Sequence, residues 1–232
     1  MNSFQKTTKP ITHQPYSNLL KKNVSAQGKV NYKGLIKDST ALNQYLKTLS
    51  DNLPSPTWSR AEELAYWINA YNAFTLQLIL RNYPLKSIKD IGSKITIPFV
   101  NTPWDVKFIR IGPIKIDLNE IEHGILRKKF NEPRIHFAIV CASVSCPPLL
   151  NTAYTATQLE EQLNHQARIF INDSSRNHIQ PDRIQISKIF SWFKSDFTKH
   201  ESLINFFNRY SRIKINPNAQ VSTLEYNWSL NE

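Results

Sequence analysis

A long apolar segment, from Arg60 to Tyr83, constrains the fold of this chain more than any other feature. Its sequence, RAEELAYWINAYNAFTLQLILRNY, is apolar on most faces of the helix that it predicts. Ser59 and Glu62 have the spacing of a capping box, and Pro84 lies just beyond the far end. Because a helix that is apolar nearly all round is normally buried, we expect the rest of the chain to surround it.

Two amide side chains interrupt this apolar helix. Asn69 and Asn72 are three residues apart, so they are neighbours on its surface. A buried amide must find hydrogen-bonding partners. In one interpretation the two amides hold neighbouring loops through backbone hydrogen bonds. In the other they line a site, where a side-chain amide can donate to an oxyanion.

The remaining patterns mix helices and strands without strict βαβ alternation. Helices are predicted at 16–24, 39–52, 118–130, 155–173, 189–197 and 200–211. Strands are predicted at 94–100, 134–143 and 219–231, and in hairpins that turn at Gly112-Pro113 and Pro181-Asp182. Residues 28–38 are predicted to form a short extended or turning piece.

These elements predict an α+β fold class. The expected architecture is a single domain in which a small, largely antiparallel sheet packs on the long buried central helix, with additional helices around it. We interpret residues 1–24 as an N-terminal arm with a short helix and residues 25–232 as the domain.

The charge of the chain is strongly basic. It has 29 Lys and Arg against 18 Asp and Glu, a net charge of +11. These basic residues are spread along the sequence and form no arginine-rich arm, so nucleic-acid binding is not favoured. An anionic polymer or a membrane surface is an alternative that the charge leaves open. The expected partner is an unidentified small molecule or peptide, and the sequence leaves the oligomeric state open.

Membrane insertion and export each leave a signal in the sequence. No stretch of about 20 apolar residues is present, so no membrane span is predicted. No signal peptide is visible. The polar, lysine-containing start is compatible with a cytoplasmic terminus or with a start that follows a removed signal.

The two cysteines, Cys141 and Cys146, lie in the segment RIHFAIVCASVSCPPLL. In the predicted strand, Cys141 shares a face with apolar residues and is expected to pack in the core. Cys146 follows the strand in a loop, and Pro147 suits a helix N-terminus there, where a thiol ionises more easily. A disulfide between the two cysteines stays possible in an exported protein. Their spacing has no CxxC form and no HxxxH pair follows, so neither a metal site nor a cofactor is predicted.

A cysteine nucleophile needs a base, and His123 is the better candidate. On a helix it shares a face with Glu120 and Arg127, an arrangement that could orient the imidazole. Glu122 competes with Glu120 as the orienting acid. His136, on the predicted strand that leads to the cysteines, is the alternative base or a substrate-binding residue. Each of these residues also has a structural interpretation, as a solvated helix face or a buried core histidine.

Five motifs together resemble the domain-of-unknown-function family numbered 547, found in bacteria and plants: YWINAYNAFTLQLI, DLNEIEHGILRKKF, PRIHFAIVCASVSCPPL, SKIFSWFKSDF and YNWSLN. The resemblance covers about residues 25–231, and it implies no established catalytic residue. It favours a periplasmic or extracellular location if a signal was removed, since bacterial members often carry an export signal, and a cytoplasmic one otherwise. Plant members often join the domain to a coiled coil, which implies scaffolding. The matching positions are Trp67, Asn69, Tyr71, Asn72, Glu122, His123, Arg127, His136, Cys141, Cys146, Pro147, Trp192, Asp196, Phe197, Trp228 and Asn231.

Two hypotheses for the function follow. The first is a thiol-dependent hydrolase or acyl transferase, similar to a cysteine peptidase. In it Cys146 attacks a carbonyl, His123 is the base, Glu120 or Glu122 orients the imidazole, and Asn69 or Asn72 donates to the oxyanion. The second is a non-catalytic module that binds a peptide or small ligand through a cluster that includes Arg127.

Overall fold

The computed structural model describes residues 8–92 and 102–232 and has an α+β fold, as predicted. The strand predicted at 94–100 lies outside these residues. The α-helices are α1 (Gln14–Asn23), α2 (Tyr32–Lys37), α3 (Ser39–Asp51), α4 (Arg60–Asn82), α5 (Arg127–Lys129), α6 (Leu159–Ile171), α7 (Ile189–Trp192), α8 (Lys194–Phe197) and α9 (Leu203–Asn208). The strands are β1 (Ile109–Ile111), β2 (Ile114–Ile116), β3 (His178–Ile179), β4 (Arg183–Ile186) and β5 (Gln220–Thr223).

Helix α4 is the buried centre of the fold, which confirms the strongest prediction from the sequence. Its side chains are buried on every face from Leu64 to Ile79, apart from the half-buried Gln77. The capping box is present: the Ser59 hydroxyl accepts from the Glu62 N–H at 3.2 Å, and the Glu62 carboxylate accepts from the Ser59 N–H at 2.6 Å. Local sequence signals therefore set the start of the helix around which the chain folds.

We expect Ser59→Ala to lower the free energy of unfolding by about 1 kcal/mol, because the first turn of α4 loses its capping acceptor. Urea denaturation measures this loss. Ser174→Ala, at an exposed position, is the control and should change stability by less than about 0.5 kcal/mol. Equal stabilities for the two variants would contradict the assigned role of Ser59.

Among the described residues, two small sheets accompany the helices. Strands β1 and β2 form an antiparallel hairpin in which Ile111 pairs with Ile114, and Gly112 turns with a φ of 55°. In the second sheet β4 lies between β3, which is antiparallel to it, and β5, which is parallel. Both hairpins predicted from the sequence are therefore confirmed.

The apolar core consists of two clusters. The larger surrounds α4 and includes the hairpin of β1 and β2. The smaller is rich in phenylalanine and lies among α6, β4 and α7 to α9, with Phe137, Phe170, Phe190, Phe197, Phe206 and Phe207 among its members. Within the described ranges, no helix is both long enough and apolar enough to cross a membrane.

The strand predicted at 134–143 is wrong. Pro133–Phe137 form a turn of 3₁₀-helix, and the residues after it form no regular strand. The turn is favoured because Pro133 has a suitable fixed φ and the Glu132 carboxylate accepts from the Arg134 N–H at 3.1 Å. Apolar side chains in this segment are buried on several sides, so the alternation resembled a strand. The short extended or turning piece predicted at 28–38 is found only in part. Val30 forms a β-bridge with Val24, but Tyr32–Lys37 form α2, which Asn31 caps by accepting from the Gly34 N–H at 2.9 Å.

The helix predicted at 118–130 contains a wide turn. Asp117 caps it by accepting from the Glu120 N–H at 2.8 Å. The segment Glu120–Leu126 is π-helical, and the Arg127 N–H bonds to the Glu122 carbonyl five residues back. This turn buries Glu122 and leaves its neighbour His123 exposed. Such wide turns occur often at functional sites.

Candidate functional site

A cavity of about 190 Å³ lies where the two apolar clusters meet. It combines chemically reactive side chains with an aromatic wall. Its lining residues are Tyr71, Trp104, Asn119, Glu122, His123, His136, Ile139, Cys141, Cys146, Pro147, Ile189, Trp192, Phe193, Tyr226 and Trp228. Four of the predicted site residues, Glu122, His123, His136 and Cys146, are therefore brought to one cavity.

The two cysteine sulfurs are 2.9 Å apart. Cys141 Sγ also contacts Ser143 Oγ at 3.1 Å and the Tyr226 hydroxyl at 3.2 Å. Cys146 Sγ accepts from the Cys141 N–H at 2.9 Å, and its residue is only 4 % exposed. Cys141 is half-buried and packs against the larger apolar cluster, so the residue expected in the core is the more exposed of the two.

The environment separates the acidities of the two thiols. Burial opposes ionisation of Cys141, but hydrogen bonds from Cys146, Ser143 and Tyr226 outweigh it and lower the pKa to about 7. Burial, followed by the hydrogen bond and the charge of Cys141, raises the pKa of Cys146 well above its ordinary value. Cys141 is therefore the thiol that forms a thiolate near neutral pH.

The loop that carries the cysteines is held firmly. Ala142 has a φ of 59°, a left-handed conformation that costs a residue with a Cβ about 1 kcal/mol. Its carbonyl accepts from the Asn231 N–H at 3.2 Å. The Arg176 guanidinium donates to the carbonyls of Val144 at 2.8 Å and Cys146 at 2.9 Å. The helix start expected at Pro147 is wrong, since residues 147–158 form no helix.

Glu122 places a buried carboxyl group in the cavity. It is 8 % exposed, and the Tyr71 hydroxyl donates to its Oε2 at 3.3 Å. Burial raises the pKa of Glu122 to about 7, more than the hydrogen bond from Tyr71 lowers it. Glu122 can therefore give or accept a proton near neutral pH.

A polar chain leads away from Glu122. Its Oε1 is 4.0 Å from Nδ1 of His136, whose Nε2 is hydrogen-bonded to Oδ2 of Asp196 at 2.7 Å. Arg127 donates to both Asp196 oxygens, at 2.6 and 2.9 Å. Burial opposes ionisation of Asp196, but the hydrogen bonds from His136 and Arg127 hold its pKa well below the usual range. Asp196 also lines a separate polar cleft of about 590 Å³. The polar side chains from Glu122 to Asp196 therefore connect the cavity with a second surface.

Burial lowers the pKa of His136, which stacks on Phe193 with 3.9 Å between ring centroids. The imidazole is therefore mostly neutral near pH 7 and is fixed by stacking on one side and by Asp196 at its edge. His136 is therefore both a buried core histidine and a residue of the cavity wall.

His123 is bound to Arg127, whose Nη1 donates to its Nδ1 at 3.0 Å. Burial and the charge of Arg127 lower the pKa of His123. Across the described part of the chain, no hydrogen bond joins His123 to either cysteine. Glu120 is exposed beside Gly124, where a Cβ would collide with its carboxylate, and it does not line the cavity.

The two asparagines of α4 hold loops. Asn69 donates to the Tyr154 carbonyl at 2.8 Å and accepts from the Tyr154 N–H at 2.9 Å. Asn72 donates to the Ala138 carbonyl and accepts from the Val140 N–H, both at 2.9 Å. Neither amide lines the cavity, and Asn72 fixes the segment that leads into Cys141. This is the first of the two interpretations drawn from the sequence.

Sequence reasoning assigned no role in the site to Tyr71, Tyr226, Ser143 or Asp196. Tyr71 follows Asn69 and precedes Asn72 on α4, so its proximity to them was a usable signal. Tyr226 and Asp196 lie 85 and 60 residues from their partners Cys141 and His136. No local pattern predicts such pairs.

Comparison with known proteins identifies one family. Residues 55–171 match the family described as "Protein of unknown function, DUF547". No curated protein and no solved structure matches the chain. Within residues 8–92 and 102–232, no group of three or more His, Cys, Asp or Glu is arranged to hold a metal ion.

Proposed function

The chain belongs to the DUF547 family, whose description states no activity, and we propose that its cavity is a dithiol redox site. Cys141 is the attacking sulfur, and Cys146 is the resolving sulfur that joins it in a disulfide. The observation that carries this proposal is the distance of 2.9 Å between the two sulfur atoms beside a cavity. Because an S–S bond is about 2.05 Å long, a small side-chain movement would close it.

The acidities of the two thiols suit these roles. With a pKa of about 7, Cys141 is partly a thiolate at neutral pH and is ready to attack. Cys146, with its raised pKa, stays protonated until it attacks in turn. Glu122 is the proposed acceptor of its proton, since the pKa of that buried carboxyl is also about 7.

The proposed cycle can be written with a disulfide R–S–S–R as oxidant. The Cys141 thiolate bonds to one sulfur of the oxidant, and the other leaves as a thiolate. Cys146 gives its proton to Glu122 and attacks Cys141 Sγ, which forms the internal disulfide and releases the second thiolate. The oxidant gains two electrons, the cysteine pair loses two, and an external thiol reverses the cycle.

Alkylation and oxidation test this proposal. We expect iodoacetamide to modify Cys141 with a midpoint near pH 7 and to leave Cys146 largely unmodified, because Cys146 is buried and protonated. Oxidised glutathione should convert the pair into one internal disulfide, detected by mass spectrometry. Cys141→Ser and Cys146→Ser are the matched controls. Cys146→Ser should carry glutathione on Cys141, and Cys141→Ser should carry none. Faster alkylation of Cys146, or failure to form the internal disulfide, would contradict the proposal.

Thiol-dependent hydrolysis or acyl transfer is the second candidate. The observation that favours it is the buried carboxyl of Glu122 in the same cavity as Cys141. Since burial raises the pKa of Glu122 to about 7, its protonated form could give a proton to a leaving group. The sequence favours Cys146 as nucleophile with His123 as base and Glu120 or Glu122 as orienting acid. The contacts above support Cys141 with Glu122 better, and they leave Asn69 and Asn72 as positioning residues.

One variant separates the two candidates. Cys146→Ser removes the resolving thiol, so it should abolish turnover in a dithiol cycle. A hydrolase that uses Cys141 should keep most of its activity towards thioester or ester probes in the same variant. A third outcome, ligand binding without turnover that persists when both cysteines are replaced by serine, would support the binding-module hypothesis.

A further inference from the structure

We propose that the oxidant of the cysteine pair is an apolar organic hydroperoxide, bound with its organic group against the aromatic wall of the cavity. This inference rests on the dithiol function proposed above and names its substrate class. It is carried by a juxtaposition: Cys141, with a second sulfur at 2.9 Å, lines the same 190 Å³ cavity as four clustered aromatic side chains.

The aromatic wall consists of Trp104, Trp192, Tyr226 and Trp228. Tyr226 lies between the sulfurs and the indoles: its hydroxyl contacts Cys141 Sγ at 3.2 Å, and its ring centroid is 4.5 Å from that of Trp228. The ring centroids of Trp192 and Tyr226 are 4.8 Å apart, and Trp192 remains 47 % exposed. An exposed indole beside a reactive thiol would contribute nothing to the binding of a small, strongly hydrated oxidant. It favours an oxidant that carries an apolar group.

The size of the cavity limits the organic group. A volume of 190 Å³ corresponds to about six water-sized groups at ~30 Å³ each. A tert-butyl hydroperoxide fits this space, and a cumene hydroperoxide would place its ring among the aromatic side chains at the exposed Trp192.

The chemistry uses groups that line the cavity. The Cys141 thiolate attacks the terminal oxygen of R–O–O–H, the O–O bond breaks, and the leaving alkoxide takes the Glu122 proton to give the alcohol. Cys141 is then a sulfenic acid, Cys–S–OH. Cys146 passes its proton through Glu122 to the departing hydroxide and attacks Cys141 Sγ, which yields the disulfide and water. The hydroperoxide gains two electrons, the pair loses two, and an external dithiol reductant restores the thiols.

The residues around Cys141 suit the intermediate. Ser143 Oγ and the Tyr226 hydroxyl lie within hydrogen-bonding distance of the sulfur that would carry the sulfenic oxygen. Because Cys146 Sγ is already in contact with Cys141 Sγ, the sulfenic acid would be resolved quickly rather than oxidised further.

The experiment mixes the reduced full-length protein with tert-butyl, cumene or hydrogen peroxide and follows disulfide formation by mass spectrometry after acid quenching. We expect second-order rate constants at least tenfold higher for the two organic hydroperoxides than for hydrogen peroxide, the range that one apolar group contributes in a pocket. In Cys146→Ser, dimedone should trap a sulfenic acid on Cys141. Trp192→Ala should lower the ratio of organic to inorganic rates about tenfold. Ile213→Ala, an exposed apolar side chain outside the cavity, is the control and should not.

Three adverse outcomes can be told apart. If oxidised glutathione forms the disulfide but organic hydroperoxides react no faster than hydrogen peroxide, the substrate class is wrong and the dithiol function stands. If no oxidant joins Cys141 to Cys146, both proposals are wrong. A ratio that falls equally in Trp192→Ala and Ile213→Ala would remove the aromatic wall from the inference.

Discussion

We expect Glu122→Gln to change how the free energy of unfolding depends on pH. The difference between its values at pH 8 and pH 4 should be about 3 kcal/mol more favourable in the variant than in the wild type. In the unfolded chain this carboxyl titrates near 4.5, whereas burial raises its pKa to about 7 in the fold. The folded state therefore binds the proton more tightly. Stability from this group is complete below pH 4.5 and is lost as the pH rises to 7, a change worth about 3 kcal/mol.

Urea unfolding at a series of pH values measures this effect. The comparison of wild type and variant is essential, because His123 and His136 act in the opposite direction. Burial lowers their pKa values, so the fold loses stability from these two residues as the pH falls. Glu120→Gln is the matched control on the same helix, at an exposed carboxyl, and should keep the wild-type pH dependence. Parallel curves for the wild type and Glu122→Gln would show that the Glu122 pKa is not raised.

Asp196→Ala is expected to lower the free energy of unfolding by about 2–3 kcal/mol at pH 7. Its carboxylate accepts two hydrogen bonds from Arg127 and one from His136, and both donors are at least partly buried. Removing one member of a buried charge pair leaves its partner uncompensated, a loss of about 3–5 kcal/mol that partial exposure of Asp196 reduces. Since its pKa is depressed, this stabilisation is present above about pH 3.8 and is lost below it.

An exposed ion pair provides the control for Asp196. Lys47 and Asp51 are 2.6 Å apart on the surface of α3, and both side chains are largely exposed. Asp51→Ala should therefore lower stability by less than about 0.5 kcal/mol in the same urea experiment. If Asp196→Ala is as mild as this control, the hydrogen bonds from Arg127 and His136 to Asp196 do not stabilise the fold.

The sequence predicted those parts of the fold that depend on neighbouring residues. The capping box of Ser59 and Glu62, the burial of α4 and the turn at Gly112 all rest on local geometry. The segment after Pro133 was predicted incorrectly because its backbone bonds go to Asn72, a residue 66 to 68 positions earlier. Alternating apolar residues do not distinguish a strand from a buried irregular segment held by side chains.

The candidate site was predictable in composition but not in arrangement. Glu122, His123, His136 and Cys146 do line one cavity. The predicted relation between the two cysteines depends on a strand register that does not exist. It therefore places Cys141 in the core, although Cys146 is the more deeply buried residue. The hydrogen bonds from Ser143 and Tyr226 that lower the Cys141 pKa come partly from a segment 85 residues away, and only the fold brings them together.

The wide turn at Glu120–Leu126 accommodates one extra residue within a helix. In a regular α-helix each residue is rotated by about 100° from the last and bonds to the residue four back, whereas here the Arg127 N–H bonds to Glu122, five residues back. Deleting Gly124 would bring Glu122 to the four-residue spacing at which a regular α-helix bonds Arg127, whose side chain is anchored on Asp196. The extra residue is therefore a point at which the backbone beside the cavity can change length by one residue while the hydrogen bond between Arg127 and Glu122 is kept.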